Sequence, residues 1–324
     1  MHTPLPSPAT PAALELQAPD IRPWKAGNTG VDWVHRLDSG RAGPEVMVQA
    51  LTHGNEICGA IALCWLLRLG FVPARGRLTL AFGNVEAYAR FDPTRPYASR
   101  CVDEDMNRVW ADAVLHGPRD SVELRRARQL LPFVDAADRL LDIHSMGEAC
   151  RPLMVCGTAD KNAALARELG MPADLLIDTG HPGGLRMVER GGFGEPASPR
   201  RALLLECGQH WERAAADVAI DGLVRFLGLV GMADAAWVAR FARLPLPPLQ
   251  RLVRVTEAVV ARSAGFRFLL PTPGLGVIAK AGTPLAQDGE FVWHTPYDDT
   301  VLVMPGTHNL QPGGTAVRLG RVEA

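Results

Sequence analysis

From residue 46 onward, short and nearly continuous apolar runs alternate with stretches of helical periodicity. Residues 46–51 read as a buried strand, 57–69 as a helix stopped by Gly70, and 77–82 as a second strand closed by Gly83 and Asn84. A helix is predicted over 121–131, with Ser121 placed to cap its first turn. Further strands are expected at 139–143, 153–156, 175–177 and 202–207, with helices over 162–169, ended by Gly170, and over about 213–229. This alternation predicts an α/β fold with a mixed, largely parallel sheet flanked by helices.

The texture changes after Leu244-Pro245-Leu246-Pro247-Pro248, which reads as a linker. Residues 252–259 alternate, and short β-like runs follow at 266–270, 276–280, 291–294, 301–304 and 315–319, separated by Pro- and Gly-containing turns. The pattern predicts a small C-terminal all-β barrel or sandwich. At about 150 residues per domain, a chain of 324 residues has room for both units. The expected division is a loose N-terminal tail over 1–22, an α/β unit over 23–245 and a β unit over 246–324.

Composition narrows the function classes. Hydrophobic residues at 47% and charged residues at 21% give the balance of a soluble globular protein. A net charge of −1 provides no field of one sign to draw in nucleic acid or an anionic membrane. Lys25, Lys161 and Lys280 are the only lysines, so arginine is the default cation and carries meaning only through position. The six cysteines form no C-x-x-C pair and are expected to be reduced and packed as small hydrophobes. The N-terminus has neither the basic start nor the apolar stretch of a secretory signal. The longest apolar run, 57–67, has 11 residues against the roughly 20 needed to span a bilayer. A cytoplasmic location is expected, and self-association is left open.

The candidate chemistry collects at the ends of the predicted strands. His53-Gly54-Asn55-Glu56 follows the first of them, and His and Glu at this spacing can reach one cation if the chain turns sharply, which Gly54 would permit. Asp142 and His144 share one face of another strand, with Asp142 in position to orient the imidazole. Glu206 closes the apolar run 202–205. Each has an ordinary explanation alone: a carboxylate favouring a helix dipole, a satisfied polar His, a strand-end acid in water. Together they differ, because an open α/β sheet gathers its strand ends along one ligand-binding edge. Two His and one Glu are the ligand set of a catalytic zinc, with a fourth position left for water. Glu206 would then be the base that takes the water's proton. The run from Arg100 to Arg108 reads either as a solvated charged face or as part of the same site. Asn107 and Arg108 suit a two-point grip on a carboxylate, and Arg100 suits a developing oxyanion.

With these residues in order, the sequence resembles the succinylglutamate desuccinylase/aspartoacylase family of the zinc carboxypeptidase clan. The resemblance rests on His53-Gly54-Asn55-Glu56, Gly83-Asn84, Arg100, Asp105-Met106-Asn107-Arg108, Asp142-Ile143-His144 and Glu206-Cys207-Gly208. It extends to Thr295-Pro296-Tyr297-Asp298-Asp299 and Met304-Pro305-Gly306, and covers about residues 25–324. It implies a zinc-carboxypeptidase-like fold, one Zn2+ held by His53, Glu56 and His144, and a water activated by Glu206. It also implies Arg100 at the scissile carbonyl, and Asn107 with Arg108 at the substrate carboxylate. Tyr297 would stand for the Tyr that caps some family sites from the C-terminal domain. A further Arg often precedes the base, and Arg186, Arg190, Arg200 and Arg201 all compete for that place. His210 is open between lining the pocket and capping the next helix. The implied activity is hydrolysis of the amide bond of a small N-acyl amino acid or related N-acyl compound. The rivals are a carboxypeptidase-type peptide hydrolase and a non-catalytic zinc-holding protein.

Overall fold

A computed structural model describes residues 14–178, 180–181, 183–306 and 310–323. The chain runs through β1 (Val34–Asp38), β2 (Glu45–Ala50), α1 (Ile57–Arg68), β3 (Arg77–Phe82), α2 (Val85–Tyr88), α3 (Asp112–Leu115) and α4 (Val122–Ala136). It continues through β4 (Arg139–Met146), β5 (Leu153–Val155), α5 (Asp160–Leu169), β6 (Asp174–Ile177), β7 (Arg201–Gln209), α6 (Arg213–Leu229) and α7 (Ala235–Phe241). The remainder is β8 (Arg251–Val260), β9 (Arg267–Phe268), β10 (Val277–Ile278), β11 (Pro284–Asp288), β12 (Phe291–His294), β13 (Thr300–Val303) and β14 (Thr315–Val322).

The sheet is mixed and mostly parallel at its centre, in the order β1-β3-β2-β4-β7-β5-β6-β8-β14-β13-β10. Strands β3, β2, β4 and β7 run parallel. The period of two along each strand builds a two-sided core. Val46, Val48, Ala50, Leu141, Ile143, Leu203 and Leu205 pack toward α1, α5 and α6. Met47, Leu140, Ala202 and Leu204 face the other layer, where α4 contributes Leu124, Ala127, Leu130 and Val134.

The C-terminal β unit has its own small core of Val259, Leu285, Ala286, Leu302, Val317 and Leu319, between the β8–β14–β13–β10 strands and a separate β12-β11-β9 sheet. Its strand β8 pairs parallel with β6, from Asp174 opposite Arg251 to Ile177 opposite Arg254. The main sheet therefore runs on into the C-terminal unit, and β6 is not left as an open edge. Of the expected tail, residues 1–13 lie outside the described ones. Residues 14–22 lie against the body: Leu16 and Ile21 are buried, and the Glu15 and Leu16 N–H groups donate to the Trp211 carbonyl at 3.0 and 3.2 Å. Strands β1 and β11 are additions to the expected set. Both are short and only partly apolar, so their pattern is weak until a neighbour pairs with them. Among the described residues, no helix is long and apolar enough to cross a membrane.

Candidate metal and substrate site

The site begins where β2 ends. Leu51, fully buried, has φ of 60°, a left-handed conformation uncommon for a non-glycine residue and often found at functional sites. The sharp turn expected between His53 and Glu56 is present, closed by the Glu56 N–H donating to the His53 carbonyl at 3.2 Å with Gly54 and Asn55 at its centre, and Leu51 adds a second bend just before it. Gly54 serves a different purpose: a Cβ there would lie 2.5 Å from backbone atoms of Ala87, Tyr88 and Ser99. Close backbone approach, and not left-handed geometry, demands glycine. Glu56 occupies the position before α1 but caps nothing with its side chain. Its Oε1 lies 2.7 Å from His53 Nδ1 and its Oε2 lies 2.9 Å from His144 Nδ1.

Strand β4 supplies the second imidazole. His144 Nε2 meets Asp142 Oδ2 at 2.7 Å, while Asp142 Oδ1 accepts from Thr52 Oγ1 at 2.9 Å. His53 Nε2 meets Asp105 Oδ1 at 2.8 Å, and Asp105 Oδ2 accepts from Arg100 Nη2 at 2.9 Å. Each imidazole is thus backed by a carboxylate at Nε2 and turns Nδ1 inward to Glu56, the outer-shell arrangement of metal-binding histidines. One ligand atom from each of His53, Glu56 and His144 lies within 4.8 Å of the others, and all three residues are buried. Buried carboxylates converging on two imidazoles call for a cation. The donor set of two imidazole nitrogens and one carboxylate suits zinc. The residues fit the ion that the sequence implied.

Glu206 lies on β7, directly opposite His144 in the parallel register. Its Oε2 is buried without a hydrogen-bond partner among the described residues. Burial pushes its carboxyl up to about 8, with Glu56 and Asp142 adding to the rise and His144 and Arg100 opposing it. A cavity of about 280 Å³ joins Glu206 to the trio. Arg100, Asn107, Arg108, Arg186 and Arg318 also line it, as do Met304, Pro305, Gly306 and Thr315 from the C-terminal unit. Burial pushes the Arg108 guanidinium down to about 10, with Arg100, Arg186 and Arg318 pressing the same way against Asp105. A cavity lined by several guanidinium groups, with Arg108 the least supported of them by carboxylates, is a place for an anion.

Of the four competing arginines, Arg186 reaches this cavity, held by Asp178 and Glu189. Arg190 is bound to Asp135 and Asp112, Arg200 donates to the Asp135 carbonyl, and Arg201 faces Glu168. Tyr297 is not part of the cavity wall. Its hydroxyl bonds Thr256 Oγ1 at 2.7 Å and its ring lies 4.2 Å from the Arg321 guanidinium, because the turn before β13 carries it to the outside of the C-terminal unit. Sequence reasoning misses Arg318, which arrives on β14 and shares Asp178 with Arg186. No local signal marks it among many arginines. His210 lines the cavity, its Nδ1 2.9 Å from Ser145 Oγ; burial pushes the imidazole down to about 4 and keeps it neutral.

Residues 42–218, more than half of the chain, match the succinylglutamate desuccinylase/aspartoacylase catalytic domain. A probable aspartoacylase of Parasynechococcus marenigrum (strain WH8102) is 36% identical over 140 residues, covering 40% of this chain and less than half, 44%, of that protein. A succinylglutamate desuccinylase of Burkholderia lata is 27% identical over 302 residues, covering 85% of this chain and 78% of the relative. The fold is similar to the solved succinylglutamate desuccinylase of Vibrio parahaemolyticus, with a TM-score of 0.66 at 16% identity over 90% of this chain and 87% of the other. It is also similar to the product-bound ectoine utilization protein EutE of Ruegeria pomeroyi, with a TM-score of 0.62 at 16% identity over 91% and 92% of the two chains. This chain belongs to the succinylglutamate desuccinylase/aspartoacylase family.

Proposed function

We propose that the protein is a zinc-dependent deacylase that hydrolyses the linear amide bond of a small, carboxylate-bearing N-acyl amino acid or related N-acyl compound. The observation that carries this reading is the buried, unpartnered Glu206 Oε2 in one cavity with the His53–Glu56–His144 trio. An ion-holding protein needs no such oxygen, and leaving one buried is costly. The names of the relatives, a desuccinylase and a probable aspartoacylase, support the substrate class.

Bound by His53, Glu56 and His144, zinc supplies a Lewis acid that polarises an amide carbonyl and makes water more acidic. Glu206 accepts the proton of the attacking water and delivers it to the departing amine. Arg100, steadied by Asp105, directs its guanidinium charge at the oxygen on which negative charge develops. Asn107 is fixed by accepting the Met187 N–H at its Oδ1, and with Arg108 it receives the substrate carboxylate. Arg186 and Arg318 add positive charge to the same cavity. In this reading residues 23–245 carry the chemistry and 246–324 close the cavity through Met304, Pro305, Gly306 and Arg318. A wall built from a second unit favours small substrates over polypeptides.

A panel of N-acyl amino acids, assayed for amine release by the zinc-loaded protein, tests the proposal. Release from at least one carboxylate-bearing member is expected; none from any member overturns it. Arg108→Ala should raise KM for such a substrate by roughly 10- to 100-fold, the loss of a charged hydrogen bond, with a smaller change in kcat. An unchanged KM would move Arg108 to a structural role.

A further inference from the structure

Glu123 lies in the first turn of α4 with its residue surface 0% exposed, and among the described residues it forms no ion pair. Four N–H donors satisfy it. Oε1 accepts from Asn84 Nδ2 at 2.8 Å and from the Val102 N–H at 2.6 Å; Oε2 accepts from the Asp103 and Glu104 N–H groups at 3.0 and 3.2 Å. A buried carboxylate without a counterion is held only by such complete hydrogen bonding. Three consecutive backbone N–H groups are thereby gathered onto one side chain.

The gathered segment, 102–104, connects the groups that line the cavity. Arg100 precedes it. Asp105 follows it, bonded to both His53 and Arg100, and its Oδ1 also accepts the Asn107 N–H at 2.8 Å at the start of the turn carrying Arg108. Two further bonds tie the segment to the same end of α4. Asp103 Oδ2 accepts the Val122 N–H at 2.8 Å, and Glu104 Oε1 accepts from Ser121 Oγ at 2.6 Å. The acidic run therefore divides its labour: Asp103 and Glu104 fasten the loop, while Asp105 faces the site.

We propose that Glu123 is a positioning residue of the site. By gathering 102–104 onto α4, it sets Asp105, Arg100, Asn107 and Arg108 in the places the reaction requires. The proposal rests on the deacylase reading for what those residues do, and on the hydrogen bonds alone for how they are held.

Glu123→Gln conserves volume but puts an NH₂ group against two N–H donors, freeing part of the loop. At a temperature well below its melting point, the variant should lose up to about 10²-fold in kcat/KM, with kcat lowered and KM raised, because small misplacements of catalytic groups act on both. At saturating zinc its metal content should match the parent, since of the three ligands only His53 is backed by a residue of this loop, Asp105. Binding of succinate, followed by calorimetry without turnover, should weaken about tenfold, the loss of one ordinary binding contact. Leu130→Ala, in the core on the same helix, is the control: it should lower Tm with kcat and KM unchanged. If Glu123→Gln does not fold, Glu104→Ala loosens the same loop at a half-exposed position and should raise KM in the same direction. A lowered Tm with parental kcat, KM and succinate affinity would overturn the proposal and leave Glu123 a stability residue. Weakened succinate binding in a protein whose parent hydrolyses no member of the panel would keep the positioning role and overturn the deacylase reading.

Discussion

Glu206→Gln should retain bound zinc, melt no lower than the parent, and lose turnover by about 10²- to 10⁴-fold, the usual contribution of a positioned acid–base group. The three expectations come from one feature. Oε2 has no hydrogen-bond partner among the described residues, so replacing the carboxyl with an amide breaks no bond at that atom. Burial already pushes the folded carboxyl up to about 8, above its value in an unfolded chain. In the metal-free protein near neutral pH the unfolded chain therefore ionises more readily than the folded one, which disfavours folding, and the disadvantage is absent at pH values below the unfolded pKa. A neutral amide removes it at every pH. Thermal melting, metal analysis and single-turnover kinetics separate the three. Turnover at the parental rate would assign the proton acceptor elsewhere.

Removing the metal should have the second large effect. Dialysis against a chelator is expected to abolish hydrolysis and lower Tm by several degrees, and added zinc should restore both. A ligand that binds only the folded state at about 1,000 times its Kd stabilises by roughly 4 kcal/mol. At this site the loss falls on Glu56, which faces His53 and His144, with Asp105 and Asp142 behind them. Glu56→Ala should be inactive and stay so when zinc is added, because only two of the three ligands remain. Hydrolysis that persists in protein shown to be free of metal would overturn the zinc reading.

The metal trio and Glu206 are legible in the sequence because their signal is topological. Runs such as 202–205 are too uniformly apolar to be anything but buried, and parallel strands set their C-terminal ends along one edge. His53, His144 and Glu206 are each at or just beyond such an end, so the fold class alone brings them together. The choice among Arg186, Arg190, Arg200 and Arg201 has no comparable signal. Each sits in or beside a loop, and which one turns inward depends on its distant partner: Asp178 for Arg186, Asp135 for Arg190 and Arg200, and Glu168 for Arg201. Tyr297 and Arg318 show the same limit at the C-terminal unit. The turn before β13 carries one outward, while the pairing of β14 with β8 directs the other to Asp178.

Local residue order therefore determined the α/β architecture and the gathering of His53, Glu56, His144 and Glu206 at one edge, since these follow from apolar periodicity and from which residue types stand at strand ends. Tertiary structure alone decided that β6 and β8 join into one sheet, that the backbone of Ala87, Tyr88 and Ser99 closes on Gly54, that Arg318 completes the cavity and that Glu123 holds the loop from Val102 to Glu104. The physical reason is common to all four. Each depends on contacts between segments distant in the chain, up to 140 residues apart for Arg318 and Asp178, and no period or spacing in the sequence encodes such a contact.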